Sequence, residues 1–362
     1  MNIEALIDLA LQIQQIPAPT FDEARRAEFV RGRFLSEGLK DVQIDQAGNV
    51  LARLPGRGKN NPLVVSAHLD TVFPLETDLA FTRELVRVSA PGIGDNSLGV
   101  AAIFGILWQF HELEAPLMRD IWFAANVCEE GLGDLKGMKA VVDRFGGEVE
   151  GYIVLEGMAL GHVYYRGTGV RRYKISARTS GGHSWSDFGK PSAIHEMSAL
   201  VSHLAAIQPP VSPRTTLNVG KISGGTSVNT IAALAEIELD LRSEDETSLQ
   251  ELVRQTEKLV STMKKSGVDW DMEMIGNRPA GSINTDHALI KTSLSCLEKL
   301  GVEASLTIGS TDANIPFSKG YPAVVLGVTT GGGAHTTNEY IDLPPIEKGM
   351  AQLVDVVTRL AQ

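Results

Sequence analysis

The stretch LVVSAHLD, residues 63–70, combines a run of apolar residues with polar side chains at its end. A short continuous apolar run of this kind indicates a strand buried on both faces, as in a parallel sheet. Because alternate residues of an extended chain point to the same side, His68 and Asp70 are expected to project together beyond the end of this strand. In open α/β sheets that edge binds ligands. The stretch therefore predicts an α/β fold and a polar site at the carboxyl edge of its sheet.

Helix-like and strand-like segments alternate on both sides of this stretch. Apolar strands separated by helices indicate a mainly parallel mixed sheet that is covered by helices on both faces. The segment VQIDQAGNVLARL (42–54) predicts a hairpin that turns at Ala47-Gly48. The other elements predicted for this part of the chain are helices at about 2–15, 22–38, 97–113, 288–301 and 344–362 and strands at about 120–127, 152–157 and 321–328.

The pattern changes between residues 168 and 281, where the predicted order of elements is β-α-β-β-α-β. This order is typical of the split ferredoxin-like unit. We therefore predict a small domain over residues 167–281 that is inserted into a larger α/β domain formed by residues 1–166 and 282–362. Its predicted elements are strands at about 169–178, 215–223, 233–242 and 268–275 and helices at about 191–207 and 245–265.

The composition excludes several classes of protein. Of the 362 residues, 43% are hydrophobic and 21% are charged, as in folded soluble proteins. The 33 Lys and Arg residues against 44 Asp and Glu residues give a net charge of −11, which argues against a nucleic-acid partner. An acidic balance suits a protein that binds divalent cations, although a solvated acidic surface gives the same count.

The cysteines and the N-terminus bear on the expected compartment. Cys128 and Cys296 are the only cysteines, so a disulfide framework and a thiolate zinc cluster are not expected. The first 20 residues lack the basic start and the cleavage site of a signal peptide, and no run of 18 apolar residues is present. We therefore expect a cytoplasmic protein that does not enter a membrane.

Acidic and imidazole side chains recur where other predicted strands end. One alone means little, because an Asp there is more often a helix cap and a loop His is usually only hydrogen-bonded. The pair Glu129-Glu130 is harder to explain, because adjacent like charges repel and no cation neighbours them in sequence. A divalent metal would neutralise such a cluster, and His with carboxylates suits zinc but also accepts Co²⁺ or Mn²⁺. Besides His68 and Asp70, the candidates are Asp95, Glu129, Glu130, Glu156 and His335.

Five motifs follow one another in a characteristic order, namely AHLDTV (67–72), GIGDNSLGV (92–100), EEG (129–131), EG (156–157) and GGGAH (331–335). Together they resemble the motifs of the co-catalytic zinc exopeptidase family. That family contains aminoacylase, acetylornithine deacetylase, succinyl-diaminopimelate desuccinylase, glutamate carboxypeptidase and peptidase T. The resemblance extends from IPAPT near the start to His335. It implies a catalytic metal-binding domain with two Zn²⁺ per chain and an inserted lid and dimerisation domain.

The resemblance also implies a role for each metal ligand. Asp95 would bridge the two metals, His68 and Glu156 would complete one site, and Glu130 and His335 would complete the other.

Three further residues have catalytic roles by the same resemblance. Asp70 would accept the second N–H of His68 and so fix its tautomer. Glu129 would be the general base that takes a proton from the water between the metals and delivers it to the leaving amine. His183, in SGGHS, would donate to the oxyanion of the tetrahedral intermediate. In the family's dimeric members this histidine reaches the partner's active site.

Candidate substrate-binding residues follow from the remaining motifs. Asn229, in GGTSVN, resembles a substrate-contacting asparagine, and Arg242, in DLR, resembles the arginine that binds the substrate carboxylate. From the residues alone, the preferred interpretation of Arg242 is a strand residue paired with a neighbouring acid, and Arg278 is a second candidate for the substrate-binding arginine. Gly309, Ser310 and Thr311, in IGSTD, resemble the loop that lines the substrate side of the active-site cleft in the family.

The leading functional hypothesis is a metallohydrolase that cleaves the amide bond of N-acyl amino acids or short peptides, acting as a homodimer. One alternative is a dipeptidase, tripeptidase or aminopeptidase that reads a free amine. Another is a non-catalytic binding protein that keeps the metals. The presence of Glu129 disfavours it, because a binding protein has no need of a general base.

Overall fold

The chain forms two compact units in a computed structural model that describes residues 1–58, 60–113 and 117–362. The first unit comprises residues 1–167 and 282–362, and the second comprises residues 168–281. In the described residues the helices are α1 (Ile3–Gln14), α2 (Ala24–Ser36), α3 (Leu98–Leu113), α4 (Lys136–Phe145), α5 (Ala193–Ala205), α6 (Glu246–Thr262), α7 (Ala288–Lys299), α8 (Asn314–Ser318) and α9 (Ile346–Ala361).

The strands are mostly short, and many of them have a predicted counterpart in the sequence. In chain order they are β1 (Lys40–Ile44), β2 (Val50–Leu54), β3 (Leu63–His68), β4 (Thr82–Arg83), β5 (Arg87–Ser89), β6 (Ile121–Asn126), β7 (Gly151–Met158), β8 (His162–Gly167), β9 (Gly169–Arg178), β10 (Gly182–His183), β11 (Thr215–Gly224), β12 (Thr230–Ile231), β13 (Leu234–Ser243), β14 (Asp269–Arg278), β15 (Gly281–Ser282), β16 (Ser305–Gly309), β17 (Ala323–Thr329), β18 (Gly331–Gly332) and β19 (Tyr340–Asp342).

The first unit is built on a mixed sheet in which the strands run β1-β2-β6-β3-β7-β17-β8, with β16 also paired to β8. The pairs β3–β6, β3–β7, β7–β17 and β8–β16 are parallel, whereas β1–β2, β2–β6 and β8–β17 are antiparallel. Every residue of β3 and β17 is buried, as expected for parallel strands covered on both faces. The predicted α/β class, with a mainly parallel sheet, is confirmed.

Helices cover both faces of this sheet. On one face α1, α3 and α9 pack closely around Gly105 of α3. A Cβ on this glycine would lie 2.6 Å from the Met350 Cε atom of α9 and 3.2 Å from the Leu6 Cδ1 atom of α1. Helix α9 also lies against β17, where a Cβ on Gly349 would come within 1.7 Å of the Val328 oxygen. On the other face α4 and α8 enclose a second apolar cluster that includes Met138, Val141, Tyr152 and Phe317.

The second unit has an antiparallel sheet in the order β11-β13-β9-β14. Along the chain its main elements follow the order β9-α5-β11-β13-α6-β14. One apolar cluster joins α5 and α6 to this sheet through residues such as Met197, Leu200, Ile237, Leu249 and Leu252. A short pair, β10–β12, holds His183 opposite Thr230.

The first unit closes on itself at the point where the chain leaves and re-enters it. The main-chain N–H of Ile283 donates to the carbonyl oxygen of Tyr165 at 2.9 Å. Residues on either side of the second unit are therefore direct neighbours. No helix in the described parts of the chain combines the length and the apolar surface needed to span a bilayer.

Several elements have no counterpart in the sequence prediction. They are α4, α8, β8, β16, the short strands β10, β12 and β15, and a small sheet in the order β18-β19-β5-β4. The predicted hairpin is present as β1–β2, and its turn is organised by Asp45, whose carboxylate accepts the main-chain N–H groups of Ala47, Gly48 and Asn49.

Candidate metal centre and active site

Neighbouring parallel strands carry the candidate metal ligands to one edge of the first unit's sheet. His68 is the last residue of β3 and is paired in register with Asn126 at the end of β6. Glu129 and Glu130 follow β6 by a few residues, and Glu156 lies near the end of β7. The strands are parallel, so these side chains arrive at the same edge.

Six candidate side chains form three overlapping sets that could each hold a metal ion. Among the described residues, three sets each place one potential ligand atom per residue within 4.8 Å of the others in the set. The sets are His68–Asp95–Glu156, His68–Glu129–Glu130 and Asp95–Glu130–His335.

Asp95 lies between the two imidazoles. Its Oδ1 atom is 3.0 Å from the Nε2 atom of His68, and its Oδ2 atom is 3.0 Å from the Nε2 atom of His335. The His68 Nε2 atom is also 3.8 Å from a Glu156 oxygen, and the His335 Nε2 atom is 3.3 Å from a Glu130 oxygen. The cluster thus divides into two halves that share one carboxylate through different oxygens.

The His68 ring is oriented by the main chain of Asp70. The Nδ1 atom of His68 is 3.0 Å from the Asp70 carbonyl oxygen but 3.6 Å from the nearer carboxylate oxygen. A carbonyl only accepts, so Nδ1 donates, and in the neutral ring the lone pair of Nε2 faces the cluster. The resemblance assigned this acceptor role to Asp70, and the nearest acceptor atom in the structure is the main-chain carbonyl oxygen of that residue.

The Asp70 carboxylate instead holds the main chain that carries the paired glutamates. It is fully buried and accepts the N–H groups of Glu129 and Glu130, each at 2.9 Å, and the Thr20 hydroxyl at 2.9 Å. Burial opposes ionisation, but contact with His68 and these N–H donors outweighs it and lowers the pKa of Asp70. An ionised Asp70 therefore fixes the direction in which residues 129 and 130 leave the strand.

The electrostatics of the cluster favour positive charge between the carboxylates. The pKa of His335 is raised to about 10, chiefly by its contact with Asp95 and then with Glu130. Burial disfavours a charged His68, yet Asp70 and Asp95 outweigh burial and hold its pKa well above the usual range. The pKa of Glu156 is raised, first by burial and then by neighbouring carboxylates, although His68 opposes this. These carboxylates therefore stabilise cations placed among them.

Asn96 fixes the position of Glu156 along β7. Its side-chain Nδ2 donates to the Leu155 oxygen at 2.8 Å, and its Oδ1 accepts the Gly157 N–H at 3.0 Å. A Cβ on Gly157 would lie 2.1 Å from the Gly94 oxygen, so β7 and the Asp95 segment are in direct contact.

Sequence reasoning missed two buried groups around the cluster. Glu339 is completely buried, and its carboxylate accepts the main-chain N–H groups of Gly92, Gly94 and Asp95 at 3.1, 2.7 and 2.8 Å. Its pKa is raised to about 7, mainly by burial, with a contribution from Asp95. Arg26 is also buried and donates to main-chain oxygens, including that of Leu69 at 2.7 Å. Their partners are backbone atoms, which leave no signal in side-chain patterns.

His183 and Asn229 lie close together in the second unit. The main-chain N–H of Ser184 donates to the Asn229 carbonyl at 3.0 Å. The Nδ1 atom of His183 accepts the N–H of Trp185 at 3.2 Å, so the proton of a neutral ring is on Nε2. The Asn229 side chain accepts a hydrogen bond from the Ser227 hydroxyl at 2.9 Å.

The other predicted substrate residues have different surroundings. Arg242, in β13, donates from Nε to the Asp240 carboxylate at 2.6 Å, and its side chain is 45% exposed. The alternative that Arg242 pairs with a neighbouring acid therefore describes its contact in the structure. Arg278 is buried at the end of β14. Gly309 ends β16 opposite Gly167, and Ser310 and Thr311 follow it.

An α/β sheet whose carboxyl edge gathers two imidazoles and four carboxylates defines the class of a candidate dinuclear metallohydrolase. The family model described as peptidase family M20/M25/M40 matches residues 64–361. The chain belongs to this family, and the predicted resemblance is confirmed. It is a hydrolase that acts on amide or peptide bonds.

Individual relatives agree with this assignment. Succinyl-diaminopimelate desuccinylase of Corynebacterium glutamicum is 24% identical over 366 residues, covering 98% of this chain and 95% of that protein. The crystal structure of a tripeptidase from Staphylococcus aureus matches with a TM-score of 0.85 at 22% identity, covering 100% of this chain and 99% of that one. A dinuclear metal-binding peptidase from Bacillus subtilis matches with a TM-score of 0.72 at 17% identity, covering 99% and 98% of the respective chains.

Proposed function

We propose that this protein uses two zinc ions to hydrolyse the amide bond of N-acyl amino acids or short peptides. The observation that carries the proposal is the position of Asp95, whose two carboxylate oxygens each lie 3.0 Å from a different imidazole Nε2 atom. A bridging carboxylate needs this arrangement, because each oxygen must serve its own metal.

The donor set fits two divalent ions of this kind. His68, Asp95 and Glu156 would hold one ion, and Asp95, Glu130 and His335 would hold the other, all through nitrogen and carboxylate donors. The same donors accept Co²⁺ or Mn²⁺, so zinc is the proposed native metal rather than the only one that fits. When bound, such ions polarise a substrate carbonyl and acidify a water ligand.

Glu129 is the proposed general base. Its carboxylate can approach the ligand atoms of His68 and Glu130 within 4.8 Å, and its side chain is buried. Its main-chain N–H is held by Asp70, which limits the directions in which the side chain can point. Glu129 would accept a proton from the attacking water and return it to the nitrogen of the leaving amine.

The second unit would supply oxyanion and substrate contacts as a lid. His183 can donate from Nε2, because its Nδ1 already accepts a main-chain N–H. Asn229 would contact the substrate, Arg242 would bind its carboxylate, and Gly309 and Ser310 would line the substrate side of the cleft. We also propose that the lid forms the homodimer contact and that the protein is cytoplasmic; both stay predictions of the sequence.

A second candidate, a dipeptidase, tripeptidase or aminopeptidase, is favoured by one contact. The Arg242 guanidinium is already paired with Asp240, so binding a substrate carboxylate would require this pair to open or to be shared. An enzyme that recognises a free amine makes no such demand. Arg242→Met separates the two hypotheses, because it raises the KM of N-acyl amino acids but leaves an amine-directed peptidase nearly unaffected.

The test is hydrolysis of a panel of N-acetyl amino acids, N-succinyl and N-acylglutamate derivatives, and di- and tripeptides, with and without added Zn²⁺. Glu129→Gln keeps the size of the side chain and is expected to lower kcat by roughly 10² to 10⁴-fold with an unchanged metal content. Glu84→Gln, at an exposed position, is the matched control. Two bound metals without turnover would favour a binding protein, and a chain that binds no metal would overturn the site assignment.

A further inference from the structure

Glu339 holds the segment that carries the proposed bridging carboxylate. One of its carboxylate oxygens accepts the N–H groups of Gly94 and Asp95, at 2.7 and 2.8 Å, and the other accepts that of Gly92 at 3.1 Å. Successive N–H groups that converge on an anion form a concave main-chain site known as a nest. Here the anion is supplied by the chain itself.

This segment has little freedom to adjust by other means. Gly92 has a φ of 71°, in the left-handed region that favours glycine. A Cβ on Gly94 would lie 2.4 Å from the Met158 Cγ atom, so the main chain passes directly against that side chain. The Asp95 main chain is therefore placed by contacts on one side and by Glu339 on the other.

The same short segment that carries Glu339 also carries His335. A turn links the two residues: the Thr336 N–H donates to the Gly333 oxygen at 3.0 Å, and the Glu339 N–H donates to the Thr336 oxygen at 3.1 Å. The Glu339 carbonyl then accepts the N–H of Ala90 at 2.9 Å. One turn thus supplies a ligand to one half of the cluster and the anchor of the shared carboxylate.

The other half of the cluster is held differently. His68 ends β3, which is hydrogen-bonded to strands on both sides, and Glu156 lies within β7. Their positions follow from the sheet and do not require Glu339. Loss of the Glu339 charge should therefore disturb the Asp95–His335 relation more than the geometry of His68 and Glu156.

We propose that Glu339 is a positioning residue that sets the Asp95 main chain relative to His335, so that its charge is needed for full affinity at the Asp95–Glu130–His335 half. The inference rests on the proposed function, since it assumes that these residues bind metal. It assigns Glu339 no contact with metal or substrate.

The test is Zn²⁺ titration of the metal-free full-length protein against a chromophoric chelator. In Glu339→Gln, the amide keeps the shape of the side chain but turns an NH₂ group towards a main-chain N–H donor. We expect one of the two binding steps to lose about 10 to 100-fold in affinity, as is typical when a group that supports a ligand is removed. The other step should change by less than about threefold.

Two variants separate positioning from a general loss of structure. Glu347→Gln, at an exposed position in the first turn of α9, is the matched control and should bind both ions as the native chain does. Glu339→Asp retains the charge and should recover part of the lost affinity. It also provides the titration if the Gln variant fails to fold, as judged by circular dichroism.

The outcomes distinguish this inference from the proposed function. A native chain that binds two ions and hydrolyses amides, together with a Gln variant of equal affinity at both steps, would overturn only the role of Glu339. An equal loss at both steps would show that Glu339 stabilises the whole cluster, and no recovery in Glu339→Asp would show that its charge is not what is needed. Either result would overturn the inference. A native chain that binds no ion would overturn both.

Discussion

Replacing Asp70 with asparagine preserves the shape of a fully buried side chain while removing its charge and one acceptor oxygen. In the native structure that carboxylate accepts two main-chain N–H groups, from Glu129 and Glu130, at 2.9 Å each, and the hydroxyl of Thr20 at 2.9 Å. The asparagine oxygen can serve one of the two N–H groups. Its NH₂ group must then face the other.

The size of the effect follows from this count of partners. The Thr20 hydroxyl can rotate and accept from the new NH₂ group, so that contact is largely kept. One main-chain N–H loses a charged acceptor and stays buried, and the net contribution of a hydrogen bond to a charged group is about 1.5–3 kcal/mol. With a donor facing a donor, we expect the free energy of unfolding to fall by roughly 2–4 kcal/mol.

The measurement should be made on metal-free protein, so that altered metal affinity does not enter the stability. Urea unfolding measures the change in the global free energy of unfolding, and amide hydrogen exchange at Glu129 and Glu130 measures the change in local stability. Both are needed because the two units need not unfold together. Asp78→Asn is the control, since Asp78 is exposed and accepts a single N–H, that of Ala80, at 2.9 Å. It should change stability by less than about 0.5 kcal/mol.

One result would refute this reasoning. If metal-free Asp70→Asn is as stable as the native chain, with unchanged amide exchange, but binds Zn²⁺ much more weakly, the carboxylate acts on His68 across the 3.6 Å contact. The Asp70 carboxylate would then serve the imidazole, and the main-chain role inferred from the structure would be wrong.

Three further expectations concern stability and reactivity. Arg26→Ala should lower the free energy of unfolding by about 3 kcal/mol, because it removes donors from buried carbonyl groups. Arg25→Ala, at an exposed position, is the control and should leave the free energy of unfolding nearly unchanged. Urea unfolding measures both variants. In the same assay Gly349→Ala should be strongly destabilising, since its Cβ would lie 1.7 Å from the Val328 oxygen in β17. Gly32→Ala, at an exposed helix position with open space around it, should instead raise the free energy of unfolding by about 0.5–1 kcal/mol. Iodoacetamide at pH 8 should label neither buried cysteine until the chain is denatured, and mass spectrometry showing rapid labelling of the native protein would contradict the packing.

The sequence predicted the elements whose signal is carried by side chains. Strand β3 could be predicted because it is apolar on both faces. The two-residue repeat of an extended chain then predicted that His68 and Asp70 lie on the same side. Which oxygen of Asp70 faces the imidazole depends on the turn after the strand, and residue identities do not encode that choice. Helix α4 was missed although its apolar spacing is regular, because Asp134 and Leu135 precede it in left-handed conformations without a capping side chain.

Much the same limit applies to the candidate site. Family motifs pointed to five ligands, because each can be identified from its residue type and its order along the chain. The structure brings all five into one cluster. Glu339 escaped notice, since its partners are main-chain N–H groups that every residue but proline carries. Strands β4, β5, β18 and β19 have only two or three residues each, too few for a period to be detected.

The hydrogen bond between Ile283 and Tyr165 has a consequence for how such a chain can diversify. The departure and return points of the inserted unit are adjacent, so the larger unit keeps a continuous backbone network whatever lies between them. Domain insertion is tolerated where chain ends lie close together. Mutations that reshape the insertion can therefore accumulate without moving His68, Asp95 or Glu130. In evolution the insertion can change while the metal-binding cluster keeps its position, and a laboratory exchange of residues 168–281 between relatives could use the same adjacent ends.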